Sequence, residues 1–177
     1  MHDPPPMNAI ALLQADHRNV EGLFDRLEEL SDDDGSSKEK HELCEKLVRE
    51  LSIHTAIEEA ILYPAVKRSI GEAKELALQS LEQHDIVMWE LRALATMNVT
   101  DERLNARIRV LRDLVMAHVE REENDLFPMV EQAFGVAQLE KLGAHLQAAK
   151  IAASMPSRPR KTRKPAKAKH AHHHPTH

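Results

Sequence analysis

Two stretches of this chain are near-copies of one string: His54-Thr-Ala-Ile-Glu58-Glu59-Ala-Ile-Leu-Tyr63-Pro64 and His118-Val-Glu-Arg-Glu122-Glu123-Asn-Asp-Leu-Phe127-Pro128. Each sets a His and a Glu four residues apart. On an α-helix that step turns about 400°, which leaves imidazole and carboxylate on one face, one turn apart. One nitrogen donor and one oxygen donor, repeated on two helices, are what a dinuclear metal site is built from. Two further His extend the set. His17 fills the one gap in the stripe Ile10, Leu13, Val20, Phe24 and Leu27, and His84 shares a stripe with Leu81, Met88, Leu91 and Ala95.

Four His (His17, His54, His84, His118) and two Glu (Glu58, Glu122) therefore fall on inward faces. An apolar core neither pairs imidazoles nor tolerates carboxylates, so six such groups need a partner. A bound cation supplies one. Two Glu would bridge two metals about 3.5–4 Å apart, and two His would complete each metal's protein ligands. Imidazole and carboxylate without thiolate suit iron, manganese or zinc; open positions beside such ligands favour iron used for oxygen chemistry. A single His-x-x-x-Glu on a helix is commonly a solvated pair. The recurrence over four helices is what sets this group apart.

Glu59 and Glu123 are rotated by about 140° from their His, against about 40° for Glu58 and Glu122. They are expected at the surface or behind the ligands. Tyr63 and Phe127 are expected as core residues at the kinks, with a donor or weak-ligand role beside oxidised iron as the alternative for Tyr63. His2 and His41 lack stripe neighbours, and His145 lies outside the repeat; all three read as solvated.

Five helical stretches must position these groups. The first runs over about 8–30, from Asn8 as N-cap to the stop Ser31-Asp-Asp-Asp-Gly35. The second opens on a Ser36/Glu39 capping box and carries Leu43, Leu47, Leu51, His54, Glu58 and Ile61 up to Pro64, which lacks a backbone donor and should kink or end it. The third follows Gly71 and reaches about Met97. Thr100 is expected to cap the fourth, with Asp101 and Glu102 in its first turn. Leu104, Ile108, Leu111, Val115, His118, Glu122 and Leu126 form its inward face before Pro128. A shorter amphipathic helix covers about 137–153.

Short connections between long single-stripe helices predict an all-α, antiparallel up-down-up-down four-helix bundle. His17 and His84 are 67 residues apart and His54 and His118 are 64 apart, so the bundle should be two copies of one hairpin about a pseudo-two-fold axis. The fifth helix should pack across an end or a side.

The 177 residues include 3% aromatics, one cysteine and a net charge of −5. Sparse aromatics among abundant Leu, Ala and Glu favour helix over sheet. Cys44 alone excludes a disulfide framework, a Cys-rich zinc site and a Cys-x-x-Cys-His haem attachment. No basic and apolar leader opens the chain and no apolar run has membrane-spanning length, so a soluble, cytoplasmic protein is expected. Of 24 basic residues, seven lie between Arg158 and Lys169, which leaves 17 against 29 acids in the rest, a net −12. The expected organisation is one domain over 1–154 (bundle about 8–134) and a disordered, basic, His-containing tail over 155–177. Through 158–169 the tail offers charge-driven docking on nucleic acid or an acidic partner; solubilising the chain or folding back on the acidic globule are equal alternatives.

The paired His-x-x-x-Glu-Glu-x-x-x-(Tyr/Phe)-Pro strings, each with an earlier His, resemble the hemerythrin family, in its broader group named for the His-His-Glu cation-binding motif. The resemblance covers about 8–134. It implies a four-helix bundle holding two non-haem iron ions as an oxo- or hydroxo-bridged centre, with His17, His54, Glu58, His84, His118 and Glu122 as ligands. Oxygen-carrying members have a second His where this chain has Met88. They also have Asp five residues after the fourth-helix His, where Glu123 stands here, with Glu122 at offset four. Four His and two Glu are similar to the variant of iron-sensing, iron-centre-repair and mycobacterial hemerythrin-like proteins. Two functions follow as expectations. One is a redox-active centre handling O2, peroxide or nitric oxide, with catalase-like peroxide decomposition as its enzymatic form. The other is a non-catalytic iron or gas sensor or iron-homeostasis protein. A monomer or weak oligomer is expected. No ligand His has a Glu three residues before it, as ferritin-like bundles require, and the zinc-protease His-Glu-x-x-His string is absent.

Overall fold

The computed structural model describes residues 7–30 and 37–155. The capping box at Ser36 and the tail from residue 156 onward lie outside them. Among the described residues there is no strand. The helices are α1 (Ala9–Glu29), α2 (Ser37–Ile57), α3 (Tyr63–Ser69), α4 (Lys74–Leu94), α5 (Leu104–Arg121), α6 (Phe127–Ala133) and α7 (Val136–Ser154). π-helical turns over Glu58–Leu62 and Glu122–Leu126 join α2 to α3 and α5 to α6.

Packing follows the apolar stripes. α1 lies against α2, α2 against α4, α4 against α5 and α5 against α1. That closed ring, in chain order, is the antiparallel bundle predicted. On α1 the Asn8 side chain accepts the Ala11 N–H at 2.8 Å as the N-cap. Every member of its predicted stripe is buried, as is every residue of the inward face predicted for the fourth helix. The fifth helix, α7, packs against α1, α2 and the first π turn.

Three local readings are corrected. Thr100 does not cap the fourth helix: its N–H and hydroxyl donate to the Asn98 side chain, and the Asp101 carboxylate takes the Arg103 N–H at 2.9 Å. Those turn bonds delay α5 to Leu104 and leave its first turn without an acid. α4 ends at Leu94, so Ala95 is exposed; the buried positions are Ala77, Ser80, His84, Val87, Leu91 and Leu94, with Met88 half-buried. Finally, of the two outcomes expected at the prolines, a kink or an end, the end does not occur and the helical path continues through both. Pro64 and Pro128 cannot donate to a carbonyl four residues back. The ladder widens instead, with Tyr63 N–H reaching Glu58 O and Phe127 N–H reaching Glu122 O, five back.

The buried apolar side chains form two separate clusters. One joins Ile10 and Leu13 to Leu62, Val66, Phe127 and Val130. The other joins Val20 and Phe24 to Leu47, Leu91, Ile108 and Leu111. Between them lies a polar layer that holds His17, His54, Glu58, His84, His118 and Glu122, all buried.

α7 approaches the start of α1 at Gly143, where an added Cβ would meet the Met7 carbonyl oxygen and come within 2.9 Å of Ala9 N. Gly22, within α1, has nothing within 4 Å of the same position. Gly143→Ala should therefore destabilise the protein by about 1–3 kcal/mol through overpacking, while Gly22→Ala should stabilise it by about 0.5–1 kcal/mol through helix propensity. Urea unfolding of both variants checks the opposite signs; equal shifts would contradict the docking of α7.

Candidate metal centre

All six residues predicted as ligands meet in the polar layer. His54 and Glu58 share the α2 face one turn apart, with Nε2 3.2 Å from Glu58 Oε2. The same oxygen lies 3.4 Å from His84 Nε2 on α4. Glu122 Oε2 stands 3.5 Å from both His118 Nε2, one turn back, and His17 Nε2 on α1. Each carboxylate thus sits between one imidazole of each hairpin. One donor atom from each of His17, His54, Glu58 and Glu122 falls within 4.8 Å of the others, and the same holds for Glu58, His84 and His118.

The outward ring nitrogens all face acceptors. His17 Nδ1 is 2.8 Å from Glu123 Oε1, His84 Nδ1 is 3.0 Å from Glu59 Oε1, and His118 Nδ1 is 3.3 Å from Gln83 Oε1. His54 Nδ1 faces Asp16 Oδ2 at 3.7 Å, and Asp16 also pairs with Lys150 of α7. Where Nδ1 is hydrogen-bonded outside, as in His17, His84 and His118, the neutral ring presents its Nε2 lone pair inside, which is how protein surroundings orient metal-binding His. Glu59 and Glu123, expected at the surface or behind the ligands, hold His84 and His17 across the helix interface. Sequence reasoning missed Asp16, Gln83 and Lys150. The available signal was position: Asp16 and Gln83 each directly precede the early His of their repeat.

The π turns place a further group here. An i→i+5 ladder brings residue i+5 over residue i, so Tyr63 rises over Glu58 and Phe127 over Glu122. The Tyr63 hydroxyl donates to Glu122 Oε1 at 2.8 Å, with Glu58 Oε2 at 3.3 Å and His84 Nε2 at 3.2 Å. Phe127 instead stacks on the His17 ring, 5.8 Å between centroids and 4° between planes. Tyr63 is thus a fully buried residue just after the π turn whose hydroxyl faces the centre.

The donor set fits a cation. Among the described residues, the buried side-chain atoms without a hydrogen bond are His17 Nε2, His54 Nε2, Glu58 Oε1 and Glu122 Oε2 within this layer, and His54 Nδ1 and Asp16 Oδ2, which face each other at its rim. Unsatisfied buried polar atoms are rare and each needs a reason; for the first four, a shared layer of inward nitrogens and carboxylates supplies one.

Protonation in the metal-free layer follows from burial and mutual charge. Burial alone would lower His17, but Glu122 and Glu58 outweigh it and hold it up at about 9. His84 is likewise raised against burial by Glu58. His118 is pushed down to about 3 because burial outweighs the pull of Glu58, with the His84, His54 and His17 charges acting in the same direction as burial. Burial and the Glu58 charge raise Glu122, whereas His54 and His84 overcome burial to keep Glu58 below the usual carboxylate range. Burial and both carboxylates push the Tyr63 phenol well above its ordinary value. Outside the layer, His41 and His145 are exposed. Burial raises the Cys44 thiol to about 11, so it is no thiolate nucleophile.

A helical bundle with a buried His/Glu cluster built for a cation defines the class of protein. The chain belongs to the hemerythrin family: residues 8–130 match the hemerythrin HHE cation binding domain. It is 30% identical over 146 residues to the uncharacterized protein Rv2633c of Mycobacterium tuberculosis, covering 80% of this chain and 84% of that one. A crystal structure of an HHE cation binding domain-containing homolog of that protein, from Mycobacterium kansasii, superposes with a TM-score of 0.72 at 26% identity, over 83% of this chain and 87% of the other. A protein of Nostoc sp. named a DNA nickase is 28% identical over 148 residues, 84% of this chain but 40% of the nickase. The chain thus spans less than half the length of that relative.

Glu122 and Glu58 hold His17 up at about 9, above pH 7, so a cation that takes its Nε2 is expected to displace a proton. Calorimetric titration with Zn2+ in buffers of different ionisation enthalpy should show at least one proton released per chain, with less release above pH 9. A heat independent of the buffer would contradict this.

Proposed function

We propose that His17, His54, Glu58, His84, His118 and Glu122 hold two cations, that the pair is non-haem iron, and that it handles O2, peroxide or nitric oxide. One observation carries the reading. Four of the six buried atoms lacking hydrogen bonds, His17 Nε2, His54 Nε2, Glu58 Oε1 and Glu122 Oε2, lie in one layer, and the other two flank it behind His54. Glu58 and Glu122, each between imidazoles of both hairpins, are the bridging candidates. When bound, an iron pair would supply redox chemistry for these small molecules, one electron per iron and two per pair.

The residues around the layer bear on ligand size and proton supply. A cavity of about 10 Å³ adjoins it, with the four imidazoles on one side and Val20, Leu51, Val87 and Val115, one from each bundle helix, on the other. Such a space holds about one water, which suits a ligand of one or two heavy atoms, such as O2, peroxide or nitric oxide, better than a larger organic substrate. Tyr63 keeps a proton at its hydroxyl, 2.8 Å from Glu122. Met88, one turn after His84, receives the Thr55 hydroxyl at its sulfur, 3.7 Å away. It stands where the oxygen-carrying relatives have a His, which favours handling of the ligand over reversible carriage. Peroxide decomposition is the enzymatic form; without turnover the same site serves an iron or gas sensor or an iron-homeostasis protein. A cytoplasmic location is part of the same proposal; among the described residues no helix is long and apolar enough to cross a membrane.

Iron loading tests this. Two irons per chain are expected, with near-ultraviolet charge-transfer bands and oxygen evolution on adding peroxide, and Glu58→Ala should reduce the content to one iron or fewer. Two irons without oxygen evolution would remove the enzymatic form and leave the sensor. One iron without the bands would contradict the pair.

A second reading rests on the similarity to a protein named a DNA nickase and on the basic stretch 158–169: docking on nucleic acid by charge. Retention on DNA should then fall steeply with salt and be lost on deleting 155–177. Retention that survives the deletion would show that the tail is not responsible.

A further inference from the structure

The repeat matches residues 16 with 83, 17 with 84, 54 with 118, 58 with 122, 59 with 123 and 63 with 127. Four of these pairs are identical, whereas Asp16 is matched by Gln83 and Tyr63 by Phe127. The first difference falls behind the ligands. Glu123 backs His17 and Glu59 backs His84, a carboxylate in each hairpin. The carboxylate of Asp16 faces His54 Nδ1 at 3.7 Å as a charge without a hydrogen bond, whereas the amide oxygen of Gln83 is hydrogen-bonded to His118 Nδ1 at 3.3 Å.

The surroundings differ as well. Asp16 is 8% exposed and pairs with Lys150 of α7. Gln83 is half-buried and lines an open surface cavity of about 240 Å³ between α4 and α5, together with Ile86, Val110 and Asp113. Donor geometry follows the same division: the His17/His54 side gathers four donors within 4.8 Å, the His84/His118 side three.

An acceptor on Nδ1–H fixes the tautomer of a metal-binding His, and a charged acceptor also raises the ring's donor strength. A neutral amide oxygen does the first and little of the second. Lys150 offsets the distant field of Asp16, but the oxygen facing the ring remains that of a carboxylate.

On the two-cation reading above, we propose that Gln83 is a positioning residue that makes the two halves of the centre unequal. The His17/His54 half takes its cation first. The His84/His118 half, backed by the amide and bordered by the open cavity, holds its cation more weakly and exchanges it with solvent.

The test is anaerobic titration of the full-length, metal-free protein with Co2+, with one-metal and two-metal species counted by native mass spectrometry. In the wild type the one-metal species should accumulate well beyond what two equal, independent sites give. Gln83→Glu should strengthen the second binding step by roughly 10–100-fold, the range in which such outer partners act, and so suppress the one-metal species. Asp16→Asn should weaken the first step. Ile86→Glu puts the same charge on the cavity wall, at a side chain 50% exposed, with no contact to His118 in view, and should leave the ratio of the two steps unchanged. A merely structural role for Gln83 would not raise affinity. Equal steps in the wild type, or equal effects of Gln83→Glu and Ile86→Glu, would overturn the proposal. Failure of the two-cation reading looks different: no variant would form a two-metal species.

Discussion

A carboxylate or an imidazole without a partner is expensive in an apolar core, and this protein places six of them together in the middle of one. The apolar side chains cannot merge across that layer and divide into a cluster on either side. Four helices must then hold their His and Glu at one depth, because a one-residue slip would carry a donor about 100° round the helix and into the apolar packing. The bundle's register is set by this layer as much as by its leucines.

The layer is organised by an outer ring of acceptors. Glu59 and Glu123 reach across to the neighbouring hairpin, while Asp16 and Gln83 serve their own. Each hairpin therefore needs the other to fix its early His, which makes the centre a property of the assembled bundle. The π turns add to this. Just before Pro64 and Pro128, which cannot donate, the Tyr63 and Phe127 N–H groups reach five residues back, and one aromatic residue per hairpin lies over Glu58 or Glu122. The repeat then departs from symmetry where Tyr63 supplies a hydroxyl and Phe127 only a ring.

Much of the fold was legible because helix burial has a period near 3.6. Stripes such as Ile10 to Leu27 and Leu104 to Leu126 define inward faces without tertiary information. The pairs His54/Glu58 and His118/Glu122 were legible as shared-face donors for the same reason. The contacts of Tyr63 were not, since α-helical geometry places a residue five positions on about 140° away, and only the π turn restores it to the face of Glu58. Asp16 and Gln83 lie one residue off the stripe, where a polar side chain looks solvated; their role depends on which helix lies opposite. The start of α5 was misread because Thr100 and Asp101 compete for the same turn, and the Asp101 carboxylate takes the Arg103 N–H.

The central claim is that this layer is a binding site for two cations held through inward-facing Nε2 atoms. Anomalous diffraction from metal-loaded crystals tests it most directly. Two peaks are expected, about 3.5–4 Å apart, one beside His17 and His54 and the other beside His84 and His118, each at bonding distance from Nε2. A single peak, ligation through Nδ1, or metal bound only outside the layer would contradict the account.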